Sequence, residues 1–445
     1  MLNNKKTIII SAPVATVSGY GARSRDIAYS LIENEKYDVK IVSMRWGSTP
    51  MNALDPSNDK HKLIIDRLID GPNLPYQPDI WIQITVPNEY QPVGKFNIGI
   101  TAGIETTIAA APWIDGCNRM NLVLTSSEHS KAVLSNSHWE RRNQQTNQVE
   151  GLLRLERPIE VLFEGVNLDV YNKTNSICKT VDDELKNIKE DFAFLFVGHW
   201  LNGDFGEDRK NVPAMIRIFL ESFKDKAQHN QPALILKTSH SDFSPLDRDE
   251  LVKKVDQIYR SVSTSKKLPK TYILHGDLSD DEMNSLYNHP KVKAHLSFTK
   301  GEGYGRPLAE ASLSQKVVIA SNWSGHTDFL KDAVLLPGTL TNVHPSAAWE
   351  DVVLQESQWF SVDYGQASAA MKDVFDNYKK QNYIALGKRQ ATNIKNNFSY
   401  SAMCTTLHNL LDKHVPKQVQ IELPQLKKIE LPQLKKIELS KLKSI

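Results

Sequence analysis

Hydrophobic residues along the chain form short apolar runs separated by longer stretches with apolar positions at helical spacing. The apolar runs include residues 7–12, 77–86, 192–197, 233–239 and 292–298. Ile27, Leu31 and Ile32 recur at helical spacing after the first run. Short continuous apolar runs are typical of buried parallel strands, and their alternation with helical stretches predicts βαβ units. The chain is therefore predicted to be an α/β protein.

Two other stretches are predicted to be helical. Residues 138–157 are rich in Arg and Glu and show no clear apolar face, which favours a solvated surface helix. Residues 363–412 show a helical pattern throughout.

The length of 445 residues is enough for two domains and a tail. Residues 158–172 end an apolar stretch in a turn, and the polar, charged residues 173–190 follow, which favours a boundary there. We predict a first domain at 1–172, a second at 173–385, a further helical segment at 386–412 and a basic tail at 413–445.

The tail contains a repeat of period eight over residues 421–445, with IELPQLKK occurring twice. Pro424 and Pro432 prevent one regular helix, and the repeat is too short to bury a core of its own. One interpretation is a disordered, recently duplicated tail. The other is a multivalent peptide that docks on a protein partner or an anionic surface through its Ile, Leu and Lys residues.

Charge and composition exclude several classes of protein. The net charge of the chain is +2. The tail from Lys413 holds eight Lys and three Glu, or +5, so the remaining residues carry 2 − 5 = −3. A negative net charge on the rest of the chain gives no bulk electrostatic case for nucleic-acid binding. Three widely spaced Cys residues indicate neither a disulfide framework nor a metal site. No apolar run reaches the length of a membrane span, and the N-terminal run is too short for a signal peptide. We expect a cytoplasmic protein without a transmembrane segment.

The most informative stretch is residues 297–330, in which Glu302 and Glu310 are separated by seven residues. A strand-like run precedes it, and a helical pattern and a second strand-like run follow Gly303 and Gly305. Two glycines permit positive φ and a close approach of ligand to backbone, and Pro307 suits a first helical position. Free N–H groups at such a helix start favour an anion. The pattern predicts a site for a sugar nucleotide at a strand–turn–helix junction.

The string EGYGRPLAEA, followed by KVVIASNWSGHTDF, resembles the E-x7-E signature of retaining GT-B glycosyltransferases of the family-4 type. The resemblance implies two Rossmann-like domains that face each other across a cleft, and a helix at 386–412 that crosses back to the first domain. It places the acceptor side in 1–172 and the nucleotide sugar in 173–385. It also implies retention of configuration, a nucleotide-sugar donor as substrate, no cofactor and no metal.

The same resemblance suggests roles for individual residues. Glu302 would contact the donor sugar, Gly303, Tyr304 and Gly305 would form the turn that cradles the donor, and Glu310 would hold the ribose. The donor diphosphate would be neutralised by Arg209 and Lys210, because adjacent phosphates need cationic partners. His199 stands where relatives carry an Arg.

Further candidates follow from position, and each has a structural alternative. Lys237 ends a strand, where ligands bind in open α/β sheets. Gly19 and Gly21 precede the first helical stretch, where a mere tight turn explains them equally well. His326 either touches the donor or is a buried structural residue. Glu105 is the one ionisable side chain in ITAGIETT, and it is the acceptor-side candidate, with a structural or capping role as the alternative.

Two other functions remain open from the sequence. The chain would also fit a catalytically silent GT-B scaffold that works through its tail, or a nucleotide-sugar epimerase. The acceptor is not readable from the sequence, and glycans, proteins and modified nucleobases all remain candidates.

Overall fold

The computed structural model describes residues 5–47, 49–70, 74, 76–143, 145–240, 243–262 and 267–417. Residues 421–445 lie outside this range, so both interpretations of the repeat stay predictions. The described chain contains two six-stranded parallel sheets with helices around them. The predicted α/β class is confirmed.

The first sheet and its neighbours are built from residues before 162. The strands are β1 (Thr7–Ala12), β2 (Asp38–Ser43), β3 (Ile80–Ile84), β4 (Phe96–Ile100), β5 (Leu122–Thr125), β6 (His138–Arg142), β7 (Val149–Arg154) and β8 (Ile159–Val161). The helices are α1 (Gly19–Glu33), α2 (Asp59–Ile65), α3 (Ala111–Arg119) and α4 (Glu128–Asn136). The strand order is β2-β1-β3-β4-β5-β8, and β6 pairs with β7 outside this sheet. We call this part the first unit.

The second sheet begins about thirty residues later along the chain, consistent with a separate αβ unit. Its strands are β9 (Ala193–Val197), β10 (Ala233–Lys237), β11 (Thr271–Leu274), β12 (Val292–Ser297), β13 (Val317–Ser321) and β14 (Val334–Leu336), followed by the hairpin β15 (Gly338–Asn342) and β16 (Gln358–Val362). The helices are α5 (Lys179–Leu185), α6 (Val212–Phe223), α7 (Pro245–Ser261), α8 (Asp280–Asn288), α9 (Arg306–Ser312) and α10 (Tyr364–Asn377). The order is β11-β10-β9-β12-β13-β14. We call this part the second unit.

The strand order of the second sheet, counted from its own first strand, is 3-2-1-4-5-6, the order of doubly wound dinucleotide-binding folds. The direction of winding reverses between β9 and β12, which lie side by side. Ligands of such sheets bind at the carboxyl ends of the strands next to this switch point. The loops after β9 and β12 therefore occupy the position where a site is expected.

The chain returns to the first unit at its C-terminal end. Two helices, α11 (Gln381–Asn397) and α12 (Tyr400–His414), cover the segment predicted as one crossing helix at 386–412. Phe398 leaves the helical conformation and Ser399 caps α12 by accepting a hydrogen bond from the Ala402 N–H. Ile394 packs in a core of the second unit, whereas Leu407 packs in the core of the first. The exact boundaries proposed for the domains stay predictions.

The expected surface helix at 138–157 is wrong, because this stretch forms the antiparallel hairpin β6–β7. Trp139 and Leu153 lie opposite each other, and both pack against the core of the first unit. The Trp139 indole donates a hydrogen bond to the Ala109 carbonyl at 3.0 Å. Asn147 takes a positive φ of 56° in the connecting turn. A few inward side chains in alternation anchor this hairpin, and a test for a helical apolar face does not detect them.

Among the helices of the described residues, none combines the length and the apolar character that a membrane crossing requires.

Candidate functional site

An ion cluster around Glu302 occupies the loops at the switch point. Lys210 Nζ lies 2.5 Å from Glu302 Oε1, and Arg209 Nη1 lies 3.3 Å from Glu302 Oε2. All three side chains are largely buried. Burial alone would raise the pKa of the Glu302 carboxyl, but the charges of Lys210 and Arg209 outweigh it and lower that pKa to about 2. Glu302 is therefore ionised, and three residues predicted from the sequence form one charged group.

Glu105 of the first unit joins this cluster. Its Oε1 lies 3.6 Å from Arg209 Nη1, which also donates a hydrogen bond to the Gly301 carbonyl at 2.8 Å. Glu105 sits in the loop between β4 and α3, at the carboxyl end of the first sheet. The acceptor-side candidate thus faces the predicted phosphate-binding pair from the opposite unit.

The glycine-rich loop contacts the backbone of the first unit. A Cβ at Gly301 would lie 2.0 Å from the Glu105 carbonyl oxygen, and one at Gly303 would lie 2.0 Å from the Ala102 carbonyl oxygen. Ser126 donates a hydrogen bond to the Gly303 carbonyl at 2.9 Å. Glycine is therefore required at both positions by the close approach of the two units. The expected approach of a ligand to Gly303 stays a prediction, and Gly301 was not singled out from the sequence.

Gly305 has a different role in the same loop. Its φ of 97° is left-handed, and it precedes the first residue of α9. A side chain there would also come within 3.0 Å of the His326 Cβ. The sharp turn that starts α9 with Arg306 and Pro307 therefore depends on a glycine at this position.

Glu310 is buried on α9, and both carboxylate oxygens have partners. Arg306 Nε donates to Oε1 at 3.0 Å, and the Tyr287 hydroxyl donates to Oε2 at 3.2 Å. Burial raises the pKa of Glu310 to about 7, and Arg306 opposes this only in part. Arg306 Nη1 also lies 2.9 Å from Asp26 Oδ2 in α1, so this side chain joins the two units.

Arg306 is a site residue to which the sequence analysis assigned no role. The signal was available, because Arg306 and Glu310 stand four residues apart on a predicted helix, a spacing at which opposite charges pair. Its second partner, Asp26, is 280 residues away in sequence, and only the fold reveals that contact.

Positive charge extends from Lys210 along the carboxyl edge of the second sheet. Lys237 ends β10, is buried, and donates a hydrogen bond to the Gly276 carbonyl at 2.5 Å. His199 follows β9, and its Nδ1 lies 2.9 Å from the Ser239 hydroxyl oxygen. Burial lowers the pKa of His199, and the positive charges of Lys210, Lys237 and Arg209 lower it further. His199 is therefore a neutral group in a cationic surrounding, and Lys237 belongs to the same edge.

Tyr304, which lies within the glycine-rich loop, and His326, which follows β13, are both buried. His326 Nε2 donates to the Ser321 carbonyl at 2.7 Å, and burial lowers the pKa of the imidazole. The ring of Tyr304 packs against Phe329, with centroids 4.9 Å apart. In the described part of the chain, His326 Nδ1 and the Tyr304 hydroxyl have no hydrogen-bond partner. Packing explains why both rings are buried. A contact of His326 with a nucleotide-sugar donor stays a prediction.

Gly19 and Gly21 lie at the start of α1 and differ in their surroundings. A Cβ at Gly21 would lie 2.2 Å from the Thr16 carbonyl oxygen, so the tight turn requires this glycine. Gly19 is exposed and has no neighbouring atom where a Cβ would be placed. The structural alternative thus accounts for Gly21, whereas nothing in the packing requires a glycine at position 19.

In the ranges that the structure describes, no group of three or more His, Cys, Asp or Glu side chains is arranged to hold a metal ion. Metal independence of any reaction stays a prediction.

Comparisons with known proteins identify the architecture. No family model matches the sequence, and no curated protein matches it. A glycosyltransferase from Rickettsia africae ESF-5 is similar in structure, with a TM-score of 0.62 at 14% identity over 93% of this chain and 100% of that one. Sucrose-phosphate synthase from Thermosynechococcus elongatus gives a TM-score of 0.60 at 13% identity over 92% and 98% of the two chains. Anabaena HepE in complex with UDP and glucose gives 0.58 at 11% identity over 92% and 100%.

These similarities extend over both units, so they include the way in which the two sheets are combined. The predicted fold, two Rossmann-like domains facing each other in the GT-B arrangement, is confirmed. At these identities the similarity establishes the fold, and function has to be argued from the site itself.

Proposed function

We propose that this protein is a retaining glycosyltransferase that transfers a sugar from a nucleotide-sugar donor to an acceptor. The observation that carries the proposal is the buried cluster of Glu302, Lys210 and Arg209 at the switch point of the second sheet. Such a position binds nucleotides in many α/β proteins. The similar HepE structure contains UDP and glucose, and a similar Escherichia coli structure contains UDP-2-fluoro glucose, which supports the choice of donor.

The cations supply the electrostatic part of the chemistry. A nucleotide sugar loses its diphosphate when the bond between the anomeric carbon and the phosphate oxygen breaks, and negative charge grows on that oxygen. Lys210 and Arg209 stabilise this charge, with Lys237 contributing from the end of β10. Preorganised charges in a water-poor site are effective because they need no rearrangement during the reaction.

The carboxylates act on the sugar and on the acceptor. When the diphosphate takes over the contacts of Lys210 and Arg209, the Glu302 carboxylate becomes available to the donor sugar hydroxyls. Glu105 approaches the same place from the first unit and faces the acceptor. Glu310 holds the ribose through its remaining lone pairs, because each carboxylate oxygen accepts two hydrogen bonds and Arg306 and Tyr287 use one on each.

The test is a donor panel measured with the purified protein. UDP-glucose, UDP-N-acetylglucosamine, GDP-mannose and ADP-glucose are each tested for a rise in melting temperature and for release of the nucleoside diphosphate. We expect at least one donor to bind and to be turned over. Glu302→Gln should lower turnover at least about 100-fold, the scale for removing a preorganised group at a reacting centre.

Glu160→Gln is the matched control. The pKa of Glu160 is also lowered to about 2, through its hydrogen bond to Lys413, but it lies on the edge strand β8. Binding of a donor without release would favour the silent scaffold, and conversion to an epimeric donor would favour the epimerase. If no donor binds, or if Glu302→Gln keeps full turnover, the proposal is wrong.

A further inference from the structure

A pocket lies in the second unit, and one of its lining residues, Lys300, stands two residues before Glu302. Its volume is about 420 Å³, within the range of small-molecule sites. It lies between the loop after β9 and the hairpin β15–β16, and the Asp204 N–H donates a hydrogen bond across these two elements to the Ser346 hydroxyl at 2.9 Å. None of the roles proposed above uses this pocket.

A buried lysine lines this pocket. Lys300 is 2% exposed, and its Nζ donates to the Ser361 hydroxyl at 2.8 Å and lies 5.4 Å from the centroid of the Trp359 ring. Among the described residues it forms no ion pair with a carboxylate, although the charges of Glu207 and Asp208 act on it from further away. A buried ammonium group with unused donors is costly unless a ligand supplies acceptors.

The lining is polar and carries both kinds of hydrogen-bonding group. Glu207 offers acceptor oxygens, Lys300 offers donors, and the hydroxyls of Thr341 and Ser361 do both. A compound that both donates and accepts at several neighbouring positions matches this lining better than a phosphate does, because the Glu207 carboxylate repels an anion.

Exposed aromatic rings accompany this polar lining. Tyr364 lines the pocket and is 44% exposed. Phe205, at 50%, stands two residues before Glu207, and Trp349, at 68%, lies within the connection of the hairpin. The flat face of an exposed aromatic ring, such as that of Tyr364 in the pocket lining, suits the C–H face of a pyranose.

The pocket and the Glu302 cluster share one backbone segment. Lys300 stands two residues before Glu302, and its N–H donates to the Arg209 carbonyl at 2.7 Å. We propose that this pocket binds a neutral sugar unit of a saccharide acceptor, which reaches from here towards Glu302. That the bound saccharide is the acceptor of a sugar transfer rests on the proposed function, whereas the binding of a neutral sugar unit to this pocket does not.

The experiment measures binding of neutral glycosides without any donor. Maltotriose, cellotriose, chitotriose and mannotriose are tested by saturation-transfer NMR and calorimetry with the full chain. The variants are Glu207→Gln, which removes the negative charge of a hydrogen-bond-accepting carboxylate, and Tyr364→Ala, which removes the exposed aromatic ring of the lining. Tyr76→Ala is the matched control, because Tyr76 is 47% exposed and lies in the first unit.

We expect at least one of these trisaccharides to bind the wild type. Glu207→Gln and Tyr364→Ala should each weaken that binding at least about tenfold, and Tyr76→Ala should leave it unchanged. UDP binding should stay within twofold in all variants, which also shows that they are folded. If none of the four binds, if binding survives both pocket variants, or if inorganic phosphate competes for the pocket, the inference is wrong. Absent donor turnover would contradict the proposed function instead.

Discussion

Glu302→Gln should weaken the fold and, at the same time, tighten the binding of free UDP. The variant keeps the shape of the side chain and removes the charge that holds Lys210 and Arg209. In the wild type these cations must leave Glu302 before they bind a diphosphate. In the variant, residue 302 no longer holds Lys210 and Arg209 by charge, and Arg209 keeps Glu105 and the Gly301 carbonyl as partners. UDP also carries no sugar for residue 302 to contact.

The magnitude follows from the pKa of Glu302. A decrease from 4.5 to about 2 corresponds to roughly 3 kcal/mol of stability at 1.36 kcal/mol per unit. Because the folded-state pKa is depressed, this contribution is present above pH 4.5 and is lost as the pH falls through about 2. This contribution of Glu302 to the free energy of unfolding agrees with the roughly 3–5 kcal/mol lost when one partner of a buried ion pair is removed.

Urea denaturation at pH 7 measures the first effect, and calorimetry with UDP measures the second. We expect a loss of roughly 3 kcal/mol and a gain of about tenfold in UDP affinity, equivalent to about 1.4 kcal/mol. Glu160→Gln should leave UDP affinity unchanged, because the partners of Glu160 are Lys131 on α4 and Lys413 and His414 on α12. Weaker UDP binding by Glu302→Gln would refute the reasoning, since it would place Glu302 among the groups that hold the nucleotide.

Four further predictions concern other parts of the chain. Glu310→Ala should weaken UDP binding by about 1.5–3 kcal/mol, and unchanged affinity in calorimetry would contradict the ribose role. Lys210→Met should lower turnover at least about 100-fold yet cost less stability in urea than Glu302→Gln, because Arg209 still pairs with Glu302. EDTA should leave diphosphate release unchanged, and a chelator-sensitive rate would show that a metal is needed. A chain cut after His414, where α12 ends, should fold and keep turnover with a small acceptor; lost turnover would place the tail within the catalytic body.

The central strands of the two sheets were predictable because burial on both faces gives them a recognisable hydrophobic pattern. In a parallel sheet covered on both faces, every side chain is buried, so β1, β9 and β10 are continuous apolar runs. The hairpins β6–β7 and β15–β16 were not predicted, because their strands are short, partly exposed and polar on one side. Their positions depend on contacts with distant residues, such as that of Trp139 with Ala109.

Some residues of the candidate site could be predicted from the sequence, whereas their contacts with one another could not. The resemblance to the E-x7-E signature suggested Glu302, Arg209 and Lys210, and Glu105 was chosen as the one ionisable side chain in its segment. Their contacts with one another could not be derived, because Lys210 and Glu302 are 92 residues apart and meet only through the pairing of β9 with β12. The link from Arg306 to Asp26 needs the placement of both units, which no local pattern encodes.

The contact of Gly303 with the Ala102 carbonyl, together with that of Gly301 with the Glu105 carbonyl, gives the string GEGYG at 301–305 a role in joining the two units. A substitution at Gly301 or Gly303 is opposed by the backbone of the first unit, because a Cβ at either position would lie 2.0 Å from a carbonyl oxygen. The constraint on these two glycines therefore comes from the way the two units pack against each other, and this packing alone imposes it.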